Sequence, residues 1–364
     1  MIYYRLSAGV WAAFFFLVLL MKIIFLLIGG DAQIFGFGGG NDADYYAESA
    51  ERLGEDGVNS WSFILATLYK FDIFSRKGVS YFLFFVSAAV IPYVVSRLAI
   101  ISTAAKKSSQ IWFSIFLTSI YPVLFFYSLD IYRDVFMTFV FLLGCFAIRG
   151  ISNKESTGSL FFWVLVGAIF TYVLYGLRAY LGVAYGVTLI YALVNDFFLV
   201  EKVKKIRLFS LFVLYISLVF LGFVFNMFNA LLEYRSGFDL GAGGSALGLS
   251  FDSSLFFLPN FLLSWIFQVF GVWPFSGWAV ILFFIESFPF ILALIYILRN
   301  KKSINNFGWS LLFFFLVYNT IWVLGNDNLG TAWRLRIYGY LSVFLVFLIV
   351  GQEKIKNRLV NIKC

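Results

Sequence analysis

The chain has 364 residues, of which 62% are hydrophobic and 13% charged, with a formal net charge of +8 and no histidine. That balance excludes an ordinary soluble domain, which needs far more polar surface. The missing histidine excludes a Cys–His catalytic pair and a Cys/His zinc site, so any proton transfer falls to Asp, Glu, Tyr or Lys.

The first apolar stretch, residues 11–29, follows Arg5. It is longer than the core of about 7 to 15 residues of a secretory signal, and no Ala-x-Ala site follows it, so it reads as a retained helix interrupted by Lys22. Further stretches at 81–101, 160–177, 208–232 and 278–298 approach or exceed the length that crosses a bilayer core, roughly 20 apolar residues. Their uninterrupted Phe, Leu and Ile runs lack the period-2 alternation of an outer-membrane barrel. The predicted fold class is therefore all-α and polytopic.

Orientation follows from Lys and Arg, which collect in cytoplasmic loops. Arg5, Lys106 with Lys107, Arg149 with Lys154, Lys202, Lys204, Lys205 and Arg207, Arg299 with Lys301 and Lys302, and Lys354, Lys356, Arg358 and Lys363 mark the inner segments. About ten crossings satisfy them, near 7–29, 79–101, 111–129, 135–149, 160–177, 179–199, 208–231, 278–298, 307–325 and 337–350. Both termini are then cytoplasmic in a multi-pass cytoplasmic (inner) membrane protein of one domain. Its outer loops lie near 30–78, 130–134, 232–277 and 326–336. The stretch 255–275 reads as re-entrant or interfacial, because an extra crossing would turn Arg299, Lys301 and Lys302 outward. Pro259, Pro274 and Trp265, Trp273 and Trp278 suit such a broken pair, and 61–71 reads as a surface helix. The positive charge is then a membrane-orientation signal facing anionic lipid, with no nucleic-acid partner implied. Cys145 lies inside a predicted span and Cys364 at the end of the chain, so no outer disulfide is expected.

Chemistry is expected in the outer loops. The first carries Gly38-Gly39-Gly40-Asn41-Asp42-Ala43-Asp44-Tyr45-Tyr46, then Glu48 and Glu51; the second is Asp130-Ile131-Tyr132-Arg133-Asp134; the third is little more than Arg178. The last holds Asn326-Asp327-Asn328 and Arg334-Leu335-Arg336. Charges at helix ends on one face read as a polar cavity, or each snorkels to the headgroups. Asn41 or Asp42 can also cap a helix through Leu53, and Arg133 can pair locally with Asp130 and Asp134. Glu286 can pair with Lys22 or line a cavity, with a structural role favoured. Asp42 and Asp44 are candidate ligands for Mg²⁺ or Mn²⁺ if substrate phosphates complete the shell. Gly241-Ala242-Gly243-Gly244-Ser245-Ala246 has the glycines of a dinucleotide fingerprint but no preceding strand, and reads as a loop.

Nucleotide sugars and ATP are absent from the outer face, so a transfer reaction there draws on a lipid-delivered donor. A polyprenyl (di)phosphate sugar meets that need: arginine forks hold phosphate oxygens, a carboxylate deprotonates the acceptor hydroxyl, and apolar walls take the prenyl chain.

The motif Asp42-x-Asp44-Tyr45-Tyr46 after the first span, followed by Tyr121-Pro122-(x)4-Tyr127-Ser128-(x)4-Arg133-Asp134, resembles the C-type (GT-C) membrane glycosyltransferases and the O-antigen or oligosaccharide repeat-unit polymerases. The late Asn328-(x)5-Arg334-x-Arg336 is similar to a basic element before the final spans of such enzymes. The resemblance covers roughly the first 140 residues by motif and the rest by topology. It implies a GT-C-like fold and glycosyl transfer in bacterial surface-polysaccharide biosynthesis. Asp42 or Asp44 would be catalytic base or metal and substrate contact. Arg133 and Asp134 would line the donor site, with Tyr45, Asp130, Arg178, Arg334 and Arg336 as further substrate contacts. The partners implied are a polyprenyl-linked sugar donor, a saccharide or glycolipid acceptor and the lipid bilayer. The chain lacks the large carboxy-terminal periplasmic domain of many C-type enzymes, which favours a polymerase or a compact transferase. A lipid-linked oligosaccharide flippase or other transporter is the alternative, and would place its charges nearer the bilayer midplane; a structural or assembly subunit is a third class.

Overall fold

The computed structural model describes residues 6–28, 40–55, 57–100, 107–153, 156–198, 208–237, 246–272 and 277–363. Gly38, Gly39, the Gly241–Ser245 loop, Trp273, Pro274 and the basic residues Arg5, Lys106, Lys154, Lys202, Lys204, Lys205 and Arg207 lie outside the described residues, as do the side chains of Asn41, Trp278 and several charged residues near the carboxy terminus.

The protein is all-α and polytopic. In chain order the principal helices are α1 (Ala8–Leu27), α2 (Gly40–Glu51), α3 (Ser60–Lys70), α4 (Arg76–Ala99), α5 (Lys107–Ser119), α6 (Pro122–Phe126), α7 (Arg133–Asn153), α8 (Thr157–Leu177) and α9 (Ala179–Phe198). They continue with α10 (Leu208–Val224), α11 (Asn229–Ser236), α12 (Ser254–Val269), α13 (Ala279–Arg299), α14 (Asn306–Gly325), α15 (Leu329–Leu335) and α16 (Ile337–Lys363). Among the described residues the only extended pairing is one isolated antiparallel bridge, Ala246 to Asn328.

Local chemistry sets many of the helix starts. Ser7, Asn59, Ser75, Ser156, Asn305 and Asn328 each turn a side-chain oxygen onto a backbone N–H of the first turn that follows. That bond satisfies a donor the helix itself leaves open. Asp42 does not cap: α2 starts at Gly40, so Asp42 sits inside its first turn, where the helix dipole favours a carboxylate.

Seven described helices are long and apolar enough to cross a membrane, or eight if α10 and α11, bent by 80° at their junction, form one broken span. The sequence reading of ten is not reached. The expected span at 111–129 stops at Ser119, where Pro122 opens the separate five-residue α6. The apolar helix Ala179–Val194 is shorter than the seven, and 208–231 bends before it is complete. Ser254–Val269, which carries Pro259 inside it, is likewise a short apolar helix.

The last span is the hub. Of the apolar window in Leu329–Lys354, 94% is buried inside the protein, against 17% for α1 and for α8, so α16 forms the centre and α1 and α8 the rim. Around α16 pack α14, α7, the carboxy-terminal half of α13 and the last turns of α4. Phe16, Leu17, Leu20 and Met21 on α1 and Phe161, Leu165 and Ile169 on α8 are exposed, the expected dress of lipid-facing helices.

Among the described residues three π-helical turns occur within α4, α12 and α13, at Val86–Val90, Trp265–Val269 and Phe283–Ser287. Pro92 and Pro289 follow the first and third. A proline offers no N–H to the carbonyl four residues back, and a wider turn accommodates that loss. Each widened turn buries a polar side chain, Ser87, Gln268 or Glu286 respectively.

Candidate functional site

Charged side chains from segments far apart in sequence meet at one end of the bundle. Arg334, at the end of α15, pairs with Asp42 of α2. Arg76, at the start of α4, donates two parallel hydrogen bonds to Asp130, Nε to Oδ1 at 2.9 Å and Nη2 to Oδ2 at 2.6 Å, and also reaches Asp44 at 2.8 Å. These pairs pin α2 to the 127–132 turn and to α15. Trp61 of α3 adds a third tie, its indole N–H on the Ile131 carbonyl at 2.9 Å.

Beneath them lies a second layer. Arg178 is the single residue between α8 and α9. The two helices then pack closely: a side chain at Gly182 would collide with the Tyr175 backbone, and one at Gly186 would stand 2.9 Å from the Thr171 methyl. Small residues at this spacing let two spans approach backbone to backbone. The hairpin delivers the Arg178 guanidinium to Asp134 in the first turn of α7, Nη1 to Oδ1 at 3.8 Å, with both groups buried. Neither of those atoms has a hydrogen-bond partner. Arg133 Nη1 donates to the Leu177 carbonyl at 3.0 Å, which places a cation on the carboxy-terminal end of α8. Arg334 has an unpartnered Nε and interacts electrostatically with both Asp134 and Asp42.

The expected local pairing of Arg133 with Asp130 and Asp134 is therefore not what holds this turn. Asp130 is taken by Arg76, Asp134 faces Arg178, and Arg133 is spent on a carbonyl. Burial raises the phenols of Tyr46 and Tyr132 above their ordinary value, the first opposed by Arg133 and the second reinforced by Asp130. Both hydroxyls are neutral donors or acceptors at the site. Tyr45 accepts the Val58 N–H at 3.1 Å, and Tyr127 lies 5.9 Å from the Trp333 ring.

Asp42 and Asp44 do not converge. Two positions apart on a helix, they face different arginines, Arg334 and Arg76. A divalent ion between them would have to displace both guanidinium groups, and among the described residues no group of three or more Asp, Glu, Cys or His is arranged to hold a metal ion. As they are placed, the two carboxylates do not form a joint metal site.

Arg336 turns away from this group. It pairs with Glu286 at 3.2 Å, and Glu286 also accepts the Trp333 indole N–H at 2.9 Å and the Val123 backbone N–H at 3.2 Å. The alternative partner read from the sequence, Lys22, instead lies over the Phe125 ring. Gly271, at φ +64°, makes room for Arg336: a Cβ there would strike its guanidinium and the Ser287 hydroxyl.

A further cation, Arg235, is fully engaged. It donates to the carbonyls of Leu249, Val323 and Asn326, pairs with Asp327, and lies 4.2 Å from the Phe251 ring. Asp327 in turn accepts the Gly248 N–H at 2.8 Å. This is a structural clamp. Sequence spacing does not single out Arg76, Arg235 or Trp333; the alternation Trp333, Arg334, Arg336 is the available signal that one short helix serves two charged clusters.

Fold and charge distribution together define a polytopic helical membrane protein whose charged loops assemble at one end of the bundle. Compared with family models, with curated proteins and with solved structures, the chain matches none.

Proposed function

We propose that the protein is a membrane glycosyltransferase of bacterial surface-polysaccharide biosynthesis, of GT-C or repeat-unit polymerase type. In this reading it takes a sugar from a polyprenyl (di)phosphate at the extracytoplasmic face of the cytoplasmic membrane. One observation carries the reading. Arg133, Arg178 and Arg334 gather around Asp134 with guanidinium donors unpartnered on Arg178 and Arg334, leaving more cationic capacity than the local carboxylates use. Such a cluster, fixed in place before the ligand arrives, suits phosphate oxygens and the charge that builds on a departing lipid phosphate.

Asp42 is the better candidate for the base that deprotonates the acceptor hydroxyl. Its side chain is 45% exposed, so an acceptor can reach it, and its pairing with Arg334 links it to the arginine cluster. Asp44 and Asp130 share Arg76 and serve to hold α2. Proton uptake by Asp42 as the sugar leaves the phosphate, with Arg178 and Arg334 stabilising that phosphate, balances the transfer without a cofactor.

A transporter of lipid-linked saccharides is the second reading, favoured by the buried Glu286–Arg336 pair within the spans. The test is transfer from polyprenyl-linked sugars of the native host to added saccharide acceptors, read by mass spectrometry of the lipid pool. Products made by wild type and lost in folded Asp42→Asn support the transferase. An unchanged pool that nevertheless crosses vesicle membranes supports the transporter.

A further inference from the structure

The turn that ends α3 holds two large apolar side chains away from the protein. Phe71 is 67% exposed and Ile73 is 66% exposed, with Asp72 between them. The turn is a defined one. Asp72 stands in the left-handed region at φ +56°, its N–H donates to the Tyr69 carbonyl at 3.0 Å, and the Ile73 N–H donates to the Leu68 carbonyl at 3.0 Å. These two bonds close α3 in a Schellman turn, so backbone geometry itself holds Phe71 and Ile73 outward. In water both side chains would forgo the burial that apolar groups ordinarily gain.

What lies outside them follows from where α3 sits. Its first residue, Ser60, rests on the last turn of α8, where a Cβ at Gly176 would strike the Ser60 hydroxyl. Its last residue, Lys70, is joined by the short segment 71–75 to Arg76, the start of α4. Both α8 and α4 are spans, so α3, about 16 Å long, lies across their ends beside the charged cluster. It turns Trp61, Leu65 and Ala66 into the protein, and, Phe63 apart, the large apolar side chains it leaves exposed are at its end, in Tyr69, Phe71 and Ile73. The spans beneath mark the level of the membrane boundary. On α4, Tyr81 and Phe82 are exposed, Tyr81 only five residues, about 7 Å of helix, from Arg76. On α8, Tyr172 and Tyr175 are exposed in the last two turns before Leu177. Exposed tyrosines at span ends, with the exposed Lys70 and Lys77 close by, are what the junction of acyl chains and headgroups selects. The lipid-facing surface of α4 therefore reaches the level of the turn.

We propose that the Phe71–Ile73 turn is seated in the lipid leaflet at the charged end of the bundle, with its two apolar side chains among the upper acyl chains and Lys70 and Lys77 at the headgroups. The occupant of this surface is the bilayer itself. A surface helix lying on its apolar face, as the sequence of 61–71 suggests, would give Trp61 and Leu65 to the lipid; here the helix keeps them and the turn is the anchor. The seat also sets a height. α2 packs on α3, and Arg76 ties Asp44 of α2 to Asp130, so the edge of the charged cluster stands level with the headgroups. The inference does not depend on sugar transfer.

The experiment is depth-resolved fluorescence quenching in vesicles of phosphatidylethanolamine and phosphatidylglycerol. Full-length protein freed of its native thiols by Cys145→Ala and Cys364→Ser carries a single bimane label at Phe71→Cys, Ile73→Cys, Glu48→Cys on α2 or Ile169→Cys on α8. The quenchers are iodide on both sides of the membrane, a phospholipid spin-labelled near its headgroup and one spin-labelled near the end of its tail. Labels at Phe71 and Ile73 should lose most emission to the shallow spin label, the label at Ile169 to the deep one, and the label at the exposed Glu48 to iodide alone. Loss to iodide at Phe71 and Ile73 as large as at Glu48, with none to either lipid, overturns the seat in favour of a turn in water. Loss to none of the quenchers overturns it in favour of a covering protein, a second copy or another chain. Wild type gives a reading that needs no variant. A phospholipid with a diazirine in its acyl chain, photolysed in the same vesicles, should mark α8 and residues 69–73 by peptide mass spectrometry and leave Glu48 and Glu51 unmarked. Marks on α8 without marks at 69–73 overturn the seat.

Discussion

Arg334 and Asp42 are 292 positions apart and form one ion pair, joining the first described helix after α1 to the last short helix before α16. The pair is uneven, with Asp42 about half exposed and Arg334 mostly covered. Asp42→Asn should therefore change stability little, by less than about 1 kcal/mol as for other exposed pairs. In the proposed chemistry it should lower turnover by about 10² to 10⁴, the usual contribution of a general base. Thermal melting beside an initial-rate assay separates the two effects, and a variant that melts normally and turns over normally removes Asp42 from catalysis.

Arg178 and Asp134 behave differently because both are buried. Removing one partner strands the other charge, at a cost of roughly 3–5 kcal/mol. Arg178→Met and Asp134→Leu should each lower the melting temperature sharply, while the double variant recovers much of the loss. A double-mutant cycle by thermal melting reads the coupling directly. Additive single losses would mean the two side chains do not sense each other.

Arg178→Lys keeps a cation on the α8–α9 turn but removes the guanidinium fork. The expected result is a protein that folds and turns over about 10²- to 10³-fold more slowly, the scale seen when one preorganised donor to a developing anion is lost. A rate unchanged within twofold would show that the fork does not meet the reacting phosphate.

Gly271→Ala introduces a methyl group at φ +64° against the Arg336 guanidinium and Ser287. Backbone strain and collision together should destabilise by about 1–3 kcal/mol. The readout is the melting temperature, with Gly277→Ala, where nothing lies within 4 Å of the added methyl, as the control.

Arg235→Met tests the clamp. It strands Asp327 and removes donors from three carbonyls, so it should destabilise by several kcal/mol, again on the scale of a broken buried pair. Where protein survives, limited proteolysis should cut first near Gly248 and Leu249, the residues the clamp holds through Asp327 and Arg235.

Much of the architecture was legible because lipid imposes a simple rule on composition. Long apolar runs such as 160–177 and 307–325 became helices close to their expected bounds. The count of crossings was less legible, because mean apolarity does not register where the ladder of hydrogen bonds stops. Pro122 ended the 111–129 stretch early, and the turn at Asn226, with φ +57°, bent α10 away from α11. At the site, sequence spacing named most of the charged residues but not their pairings. Arg133 and Asp134 are neighbours in the chain, yet helix geometry turns one to the Leu177 carbonyl and the other to Arg178. Ion pairs such as Asp44 with Arg76, or Arg235 with Asp327, depend on how helices dock, and no local pattern encodes that.

The nearly complete burial of α16 has a consequence for how the protein is made. The rim helix α1 precedes the hub in the chain, and α16 follows every helix that packs around it, so a chain made from its amino terminus inserts those helices before their centre. Until α16 arrives, the inner faces of α7, α13 and α14 have no common partner, and Arg334 and Arg336 cannot reach Asp42 and Glu286. Assembly is thus gated by the arrival of α16: a product cut before it lacks the centre of its own bundle, and the charged cluster comes together only once Leu329–Lys354 is in place.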